Sequence, residues 1–442
     1  MAEASSAPDL GRYLKRLELM PLFRESGRVR KVLGPIVEGT LPGAVVGGVC
    51  WITQPRRDPI EAEVVGFRDK TALLMPLQHP EGIGMGARIE SGADATSVSL
   101  GPWMLGQLLD GYGRVLGVES QPIPEEIRPI RSGALSPLER SSIRDRLETG
   151  VRAIDAAMPV GLGQRLAVMA ASGVGKSVLM GMIARQSKAD INVIALIGER
   201  GREVTEFLER DLGPEGMKKS IVVAVTSDES PVLRVRGALL AATIAEYFRD
   251  QGQNVMLMMD SVTRYGMALR EIGLAAGEPP TTKGYTPSVF AAMPKLLERA
   301  GARRKGGSIT GLYTVLVEGN DIDDPIADNV RSIVDGHILL SRELATRNHY
   351  PAIDVLGSIS RLTEAVSSET DLRRNSQIRE VLSIYRSAED LINIGGYRKG
   401  TNPDWDRAID LYPKIIAFLK QGTRERSDLN TVRAKLEEVF RG

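Results

Sequence analysis

The sequence predicts an α/β core with a mostly parallel sheet, preceded by a small β-barrel and followed by a helical C-terminal domain. Three observations predict it. Continuous apolar runs at 192–197, 221–225 and 255–259 are separated by helix-length segments such as 232–249, the texture of a parallel sheet buried on both faces. Between about residues 29 and 98, short β-rich runs are closely punctuated by glycine and proline, as in a small barrel. Beyond residue 369 the apolar side chains recur at helical spacing. The expected boundaries are 1–26 for a tail and amphipathic helix, 27–98 for the barrel, 99–368 for the α/β domain and 369–442 for the helical domain.

Composition narrows the function classes. The 442 residues carry 57 basic and 56 acidic side chains, which removes any electrostatic case for a bulk nucleic-acid binder. The one cysteine, Cys50, excludes an internal disulfide and suits a reducing compartment; flanked by Val49 and Trp51, it is expected to be a buried small hydrophobe. No apolar stretch is long enough to span a bilayer, and the N-terminus lacks a basic-then-apolar secretory pattern, so a soluble, cytoplasmic protein is expected. His79, His337 and His349 are too scattered to suggest a zinc site or a histidine-based triad.

Taken in order, residues 1–8 are small and polar, which predicts a disordered tail. Leu10, Tyr13, Leu14 and Leu17 then share one helical face, with Arg12, Lys15, Arg16 and Glu18 opposite. Packing on its own domain and docking a partner are both open to such a helix. Residues 108–117 have the glycine-rich composition of a turn-rich junction after the barrel. In the C-terminal region Ile378, Val381, Leu382 and Tyr385 share a face, and Leu429, Val432, Leu436, Val439 and Phe440 share another behind Ser427, an N-cap candidate.

The chemistry concentrates at Ala170-Ala171-Ser172-Gly173-Val174-Gly175-Lys176-Ser177. An apolar run precedes it and a helix-like segment from Val178 follows, giving the strand, tight loop and helix that a phosphate-binding loop requires. Backbone N–H groups turned inward at a helix N-terminus make an anion site. Lys176 is then expected to reach the outer phosphates and the Ser177 hydroxyl to ligate Mg²⁺. The usual opening glycine is replaced by Ala170, which fits only if φ is negative there.

In a parallel sheet, ligands bind beyond the carboxyl ends of the strands. The run 192–197 ends in Gly198-Glu199-Arg200 and the run 255–259 ends in Asp260-Ser261, so Glu199 and Asp260 should emerge on the same rim as Lys176. Asp260 is the expected Mg²⁺ anchor, commonly through water, and Glu199 the carboxylate that orients the water attacking a γ-phosphate. Arg200 and Arg264 are candidates for stabilising charge on the transferring phosphoryl group.

The segment His349-Tyr350-Pro351-Ala352-Ile353-Asp354-Val355-Leu356-Gly357-Ser358-Ile359-Ser360-Arg361 resembles the signature of a hexameric ATPase family. That family contains the subunits of F-type and V-type ATP synthases, the Rho terminator, and the export ATPases of flagella and type III secretion systems. The likeness runs through barrel, nucleotide domain and helical C-terminus and implies a RecA-like core. It implies that Lys176 and Ser177 are the loop lysine and metal-binding hydroxyl, that Ala170 through Val178 line the nucleotide, and that Glu199 activates water. It further implies that Arg361 reaches into a neighbouring subunit's site and that Tyr350 stacks on adenine, with Tyr397 as a second wall.

Within the family, the presence of Glu199 argues against a non-catalytic subunit, and a barrel region offering only Trp51 and Phe67 argues against an RNA-binding member. The stretches 198–204, 260–268 and 317–321 look like the export branch, and 173–179 leans towards flagellar members. The resemblance therefore implies a Mg²⁺-dependent ATPase that forms a homohexamer at the base of a flagellar or related export apparatus, coupling ATP hydrolysis to unfolding and delivery of substrates. It implies a cytoplasmic protein held peripherally at the inner membrane, without nucleic acid. The implied partners are a stator-like dimer at the N-terminal helix, and a stalk protein and export chaperone or substrate complexes at the C-terminal domain. A rotary synthase catalytic subunit, a Rho-like RNA translocase and a ring protein that binds nucleotide without turnover are the alternatives.

Overall fold

A computed structural model describes residues 25–54, 57–78, 80–92, 97–317 and 324–441. The expected N-terminal helix, His79 and the 318–321 part of the export-like stretch lie outside the described residues. The chain divides into two compact units between Ser97 and Val98.

In the first unit, β1 (Ser26–Leu33), β2 (Ile36–Gly39), β3 (Val49–Thr53), β4 (Ile60–Arg68), β5 (Thr71–Pro76) and β6 (Arg88–Ser91) form a closed barrel in the order β1-β2-β5-β4-β3-β6. Alternation fills its interior: Val37, Cys50, Ile52, Val64, Leu74 and Ile89 point inward and are buried. Closure leaves no sheet edge unpaired, since β6 pairs back on β1. Burial pushes the Cys50 thiol up to about 12, which keeps it inert as a nucleophile.

The second unit is built on β7 (Leu108–Leu109), β8 (Arg165–Ala170), β9 (Ile191–Glu199), β10 (Ser220–Thr226), β11 (Asn254–Asp260), β12 (Ser308–Leu316), β13 (Gly336–Leu340) and β14 (Ile353–Ser360). Their order is β14-β13-β8-β12-β11-β9-β10-β7. Every neighbour along this path is parallel except β14, which runs against β13. A short strand, Gly301–Ala302, pairs antiparallel with β12. All of β9 is buried, as expected of a strand covered on both faces. The 108–117 stretch is more than a junction. Leu108 and Leu109 pair with Val222 and Val223 to extend the sheet, and the turn after them closes on Asp110, whose Oδ1 accepts from the N–H groups of Tyr112 and Arg114.

The main helices are α1 (Lys176–Gln186), α2 (Pro231–Asp250), α3 (Val262–Ala276), α4 (Glu369–Asn393), α5 (Pro403–Leu419) and α6 (Leu429–Arg441). Local chemistry sets their starts. Ser230 accepts from Leu233 N–H with Pro231 in the first turn of α2, Ser261 accepts from Arg264 N–H before α3, and Ser368 accepts from Asp371 N–H before α4. Ser427 is not the cap of α6. Asp428 takes that role, its Oδ1 accepting from Thr431 N–H at 2.7 Å, while Ser427 is buried one residue earlier. The C-terminal helices share one core with the sheet: Ile378, Val381, Ile415, Phe418, Val432 and Leu436 pack in the same cluster as Val168, Ile183 and Met258. No helix among the described residues is long and apolar enough to cross a membrane.

Candidate active site

β8 ends at Ala170, and the chain turns through 171–175 into α1. Gly173 and Gly175 take φ of 79° and 98°, a left-handed geometry that side chains resist, so glycine at these two positions makes the tight turn. Ala170 is not among the described residues with positive φ, which is what its methyl group demands. Gly175 sits at the N-cap of α1 and offers no side chain, leaving the first N–H groups of the helix for an anion.

Three strands then deliver three charges to one place. The Lys176 ammonium donates to Asp260 Oδ1 and stands 3.6 Å from Glu199 Oε1. Asp260 closes β11 and is 3% exposed; Glu199 closes the neighbouring β9 and is 7% exposed. The register explains the meeting, because β9 and β11 run parallel with Leu196 beside Asp260, and β12 lies between β11 and β8. Asp260 Oδ1 also accepts from the Thr314 hydroxyl on β12 at 2.7 Å. Thr314 was invisible to motif reading, since a threonine inside an apolar strand carries no signature.

Glu199 is gripped by Arg264 from the first turn of α3, Nε to Oε1 at 3.3 Å and Nη2 to Oε2 at 3.4 Å. Gly198 makes room for that arm: a Cβ there would lie 2.8 Å from Arg264 Cδ. Burial raises the Glu199 carboxyl above its ordinary range, the neighbouring charges of Lys176 and Arg264 oppose the rise, and a hydrogen bond with Glu203 adds to it. A carboxylate buried beside two cations at the mouth of an anion-binding loop is placed to hold a water against a phosphate.

The remaining candidates fall at other places. Arg200 lies with its side chain 74% exposed, 3.7 Å from Glu203, outside the Lys176 cluster. Ser177, second residue of α1, is half-buried beside the loop. Arg361 follows β14, whose Ser360 pairs with Gly336 at the amino end of β13, whereas the carboxyl end of β13 at Leu340 pairs with Ala170. The length of β13, roughly 13 Å at ~3.3 Å per residue, thus separates Arg361 from the rim that carries the loop of its own chain. Its guanidinium is exposed and makes no hydrogen bond or ion pair among the described residues.

Tyr350 is 43% exposed and stands over the loop; a Cβ on Gly175 would touch its ring at 3.8 Å. It walls a largely apolar cavity of about 320 Å³ lined by Val178, Leu179, Met182, Tyr350, Pro351 and the segment 421–423. That size and lining suit a planar apolar-faced ligand group held next to a phosphate site. Tyr397 is not part of the lining: its ring lies 5.3 Å from Trp405 and its hydroxyl donates to Asp406 Oδ1 at 2.9 Å. The far wall is the link between α5 and α6, a stretch that no sequence signal singled out.

The chain is similar to known proteins over most of its length. Residues 150–360 match the ATP synthase alpha/beta family, nucleotide-binding domain. Residues 367–438 match the T3SS EscN ATPase C-terminal domain. The flagellum-specific ATP synthase of Bacillus subtilis (strain 168) is 50% identical over 413 residues, covering 92% of this chain and 94% of that protein. The flagellum-specific ATP synthase of Salmonella typhimurium (strain LT2) is 47% identical over 442 residues, covering 98% and 97%. Among solved structures, the assembled ATPase EscN in complex with its central stalk EscO, from the enteropathogenic E. coli type III secretion system, superposes with a TM-score of 0.86 at 42% identity, over 93% of this chain and 99% of that one. A phosphate loop, two carboxylates converging on its lysine and relatives of this identity over almost the whole length lead to one assignment: the chain is an ATPase of the ATP synthase alpha/beta family, in the branch of the flagellum-specific and type III secretion ATPases.

Proposed function

We propose that this chain hydrolyses ATP with Mg²⁺ as a homohexameric ring of the flagellar protein-export apparatus, using the energy to unfold and deliver export substrates. The observation that carries the hydrolytic reading is the convergence of Glu199 and Asp260 on the Lys176 ammonium at one rim of the sheet. The loop N–H groups and Lys176 bind the β- and γ-phosphates, Tyr350 stacks on the base, and Glu199 accepts a hydrogen bond from the attacking water. The water oxygen bonds to the γ-phosphorus as the bridging oxygen leaves with ADP, and the proton the water gives up passes by way of Glu199 to the released phosphate or solvent.

The residues fit Mg²⁺. Among the described residues no group of three or more His, Cys, Asp and Glu side chains could cage an ion. One hydroxyl, Ser177, and one buried carboxylate, Asp260, are the sparse hard-oxygen set of a Mg²⁺ that arrives on nucleotide phosphates and keeps several waters. When bound, the ion neutralises charge on the phosphate oxygens.

The place of Arg361 supports assembly into a ring. A cation that cannot reach its own loop serves a neighbour's, so identical copies in a closed ring give every interface a loop and a finger. The central stalk seen with EscN supports a stalk partner here, at the mouth formed by the C-terminal helices. A stator-like dimer at the N-terminal helix, chaperone and substrate complexes at the C-terminal domain, and peripheral attachment to the cytoplasmic face of the inner membrane complete the proposal.

Phosphate release measured against protein concentration tests it. Turnover per chain should rise as the ring assembles, and should need Mg²⁺. Turnover per chain that is constant across the concentration range would sink the shared-site reading.

A further inference from the structure

The cavity beside the loop has one wall on the nucleotide domain and one on the link between α5 and α6. The link is held by buried polar chemistry that the phosphate site does not use. Gln421 is 5% exposed, and both ends of its side-chain amide are engaged. Its Oε1 accepts from Arg152 N–H at 2.8 Å, and its Nε2 donates to the carbonyls of Gly150 and Glu425, each at 2.8 Å. Its own N–H donates to the Tyr350 carbonyl at 3.0 Å. Only one orientation of the amide satisfies an N–H on one side and two carbonyls on the other, so the side chain is fixed in place.

Arg152 reinforces the same stretch. It is 4% exposed, donates from Nε to the Phe418 carbonyl at 2.9 Å, and reaches the Lys420 carbonyl and the Glu425 carboxylate with its other nitrogens. From α1, Arg185 donates to the Thr423 carbonyl at 2.7 Å. The link is thus bolted from behind by Gln421, Arg152 and Arg185, while its front, 421–423, faces the cavity opposite Val178 and Met182. None of these bonds touches Lys176, Glu199 or Asp260.

We propose that Gln421 is a positioning residue for the nucleotide base: by tying the 421–423 wall to Gly150, Arg152 and Tyr350, it sets the width of the base cavity and so the affinity for the base-bearing half of the substrate. The proposal rests on the reading of this cavity as the base pocket.

The division between base half and phosphate half supplies the test. In the full chain, Gln421→Leu keeps the volume and removes three hydrogen bonds; Gln421→Glu keeps the acceptor for Arg152 N–H and removes the two donations. Dissociation constants are measured for ADP, which carries a base, and for inorganic tripolyphosphate, which does not, with KM and kcat for ATP alongside. Gln421→Leu should weaken ADP binding and raise KM by about tenfold, the scale of buried polar groups losing their partners. Tripolyphosphate binding and kcat should stay within about twofold, and Gln421→Glu, which sets a carboxylate oxygen against the Gly150 and Glu425 carbonyls, should weaken ADP binding at least as much. Unchanged ADP affinity, or tripolyphosphate affinity falling in step with it, overturns the proposal. If Gln421→Leu fails to fold by circular dichroism, Gln421→Glu is judged by the same two ligands. Failure of the hydrolytic reading shows separately, as absence of turnover in the unmodified chain, and leaves the binding comparison intact.

Discussion

Arg264 and Glu199 form a two-point contact, 3.3 Å from Nε to Oε1 and 3.4 Å from Nη2 to Oε2, at the carboxylate proposed to hold the attacking water. The arginine therefore orients the carboxylate and, with Lys176, favours its ionised form. Burial raises the Glu199 carboxyl, and the charges of Lys176 and Arg264 hold part of that rise in check. Removing a neighbouring cation favours the neutral acid, so the ionised form persists only at higher pH. Arg264→Gln should move the acid limb of the kcat–pH profile upward in addition to lowering its plateau. An acid limb that stays where it is in the unmodified enzyme would show that Glu199 ionisation does not limit the rate.

The two carboxylate-facing roles of the site separate cleanly in variants. Glu199→Gln keeps the shape and loses the charge that orients water, so kcat should drop by roughly 10²–10⁴ with ATP affinity within a few-fold of normal. Lys176→Ala removes the cation that both carboxylates and the phosphates share, so binding and turnover should fall together. Titration with a fluorescent ATP analogue beside a phosphate-release assay distinguishes the pair. Equal loss of binding in both would contradict the assignment of Glu199 to the chemical step.

Thr314 donates to Asp260 Oδ1 at 2.7 Å from the adjacent strand and so fixes the plane of the carboxylate proposed to anchor Mg²⁺. Thr314→Val removes that bond while preserving the branched shape on β12. The Mg²⁺ concentration needed for half-maximal turnover should rise by about 10- to 100-fold, as for other residues that orient a metal ligand. A Mg²⁺ titration that overlays the unmodified enzyme would assign Asp260 its orientation by other means.

Much of this site was legible in the sequence because parallel strands impose a common direction. Once 192–199 and 254–260 are strands of one parallel sheet, the rim on which Glu199 and Asp260 emerge follows from chain direction alone. The glycines at 173 and 175 and the lysine after them carry their geometry in their identity. What sequence could not supply were relations between distant segments with no compositional mark. Thr314 is one residue of an apolar strand. Gln421 lies in a short polar link, and nothing in the sequence around Tyr397 marks the contacts with Trp405 and Asp406 that occupy it. Ser427 and Asp428 are both residue types that cap helices, and periodicity fixes helix starts only to within a residue or two. The edge strand at 108–109 is two residues long, too short to show alternation.

The clamp on the α5–α6 link has a pH signature of its own. The Arg152 guanidinium beside Glu425, helped by Lys435, holds that carboxyl down to about 2. A carboxylate depressed in the folded state contributes stability at pH above its unfolded value near 4.5, and that contribution is lost as pH falls towards about 2. Glu425→Gln should therefore lower Tm at neutral pH, and the gap to the unmodified chain should close on acidification through this window. A gap that persists undiminished at the acid end would place the effect of the substitution in packing, not in charge.

Arg361 sits at the amino end of β13 while the phosphate loop sits at its carboxyl end, which supports the proposal that its guanidinium serves the loop of a neighbouring chain. Arg361→Ala should leave nucleotide binding by the isolated chain unchanged and reduce turnover of the assembled ring by ~10³–10⁵, the range for an arginine supplied to a phosphoryl-transfer site. Lys176→Ala should be equally inactive for a different reason, since it spoils the loop and spares the finger. Mixing the two inactive proteins places intact loops next to intact fingers at roughly a quarter of the interfaces by chance in a closed ring of random composition. Mixed samples should then regain measurable phosphate release that neither protein shows alone, growing with total protein concentration as rings form. Activity that remains absent after mixing, with assembly confirmed by sedimentation, would locate the action of Arg361 within its own chain and remove the shared-site mechanism.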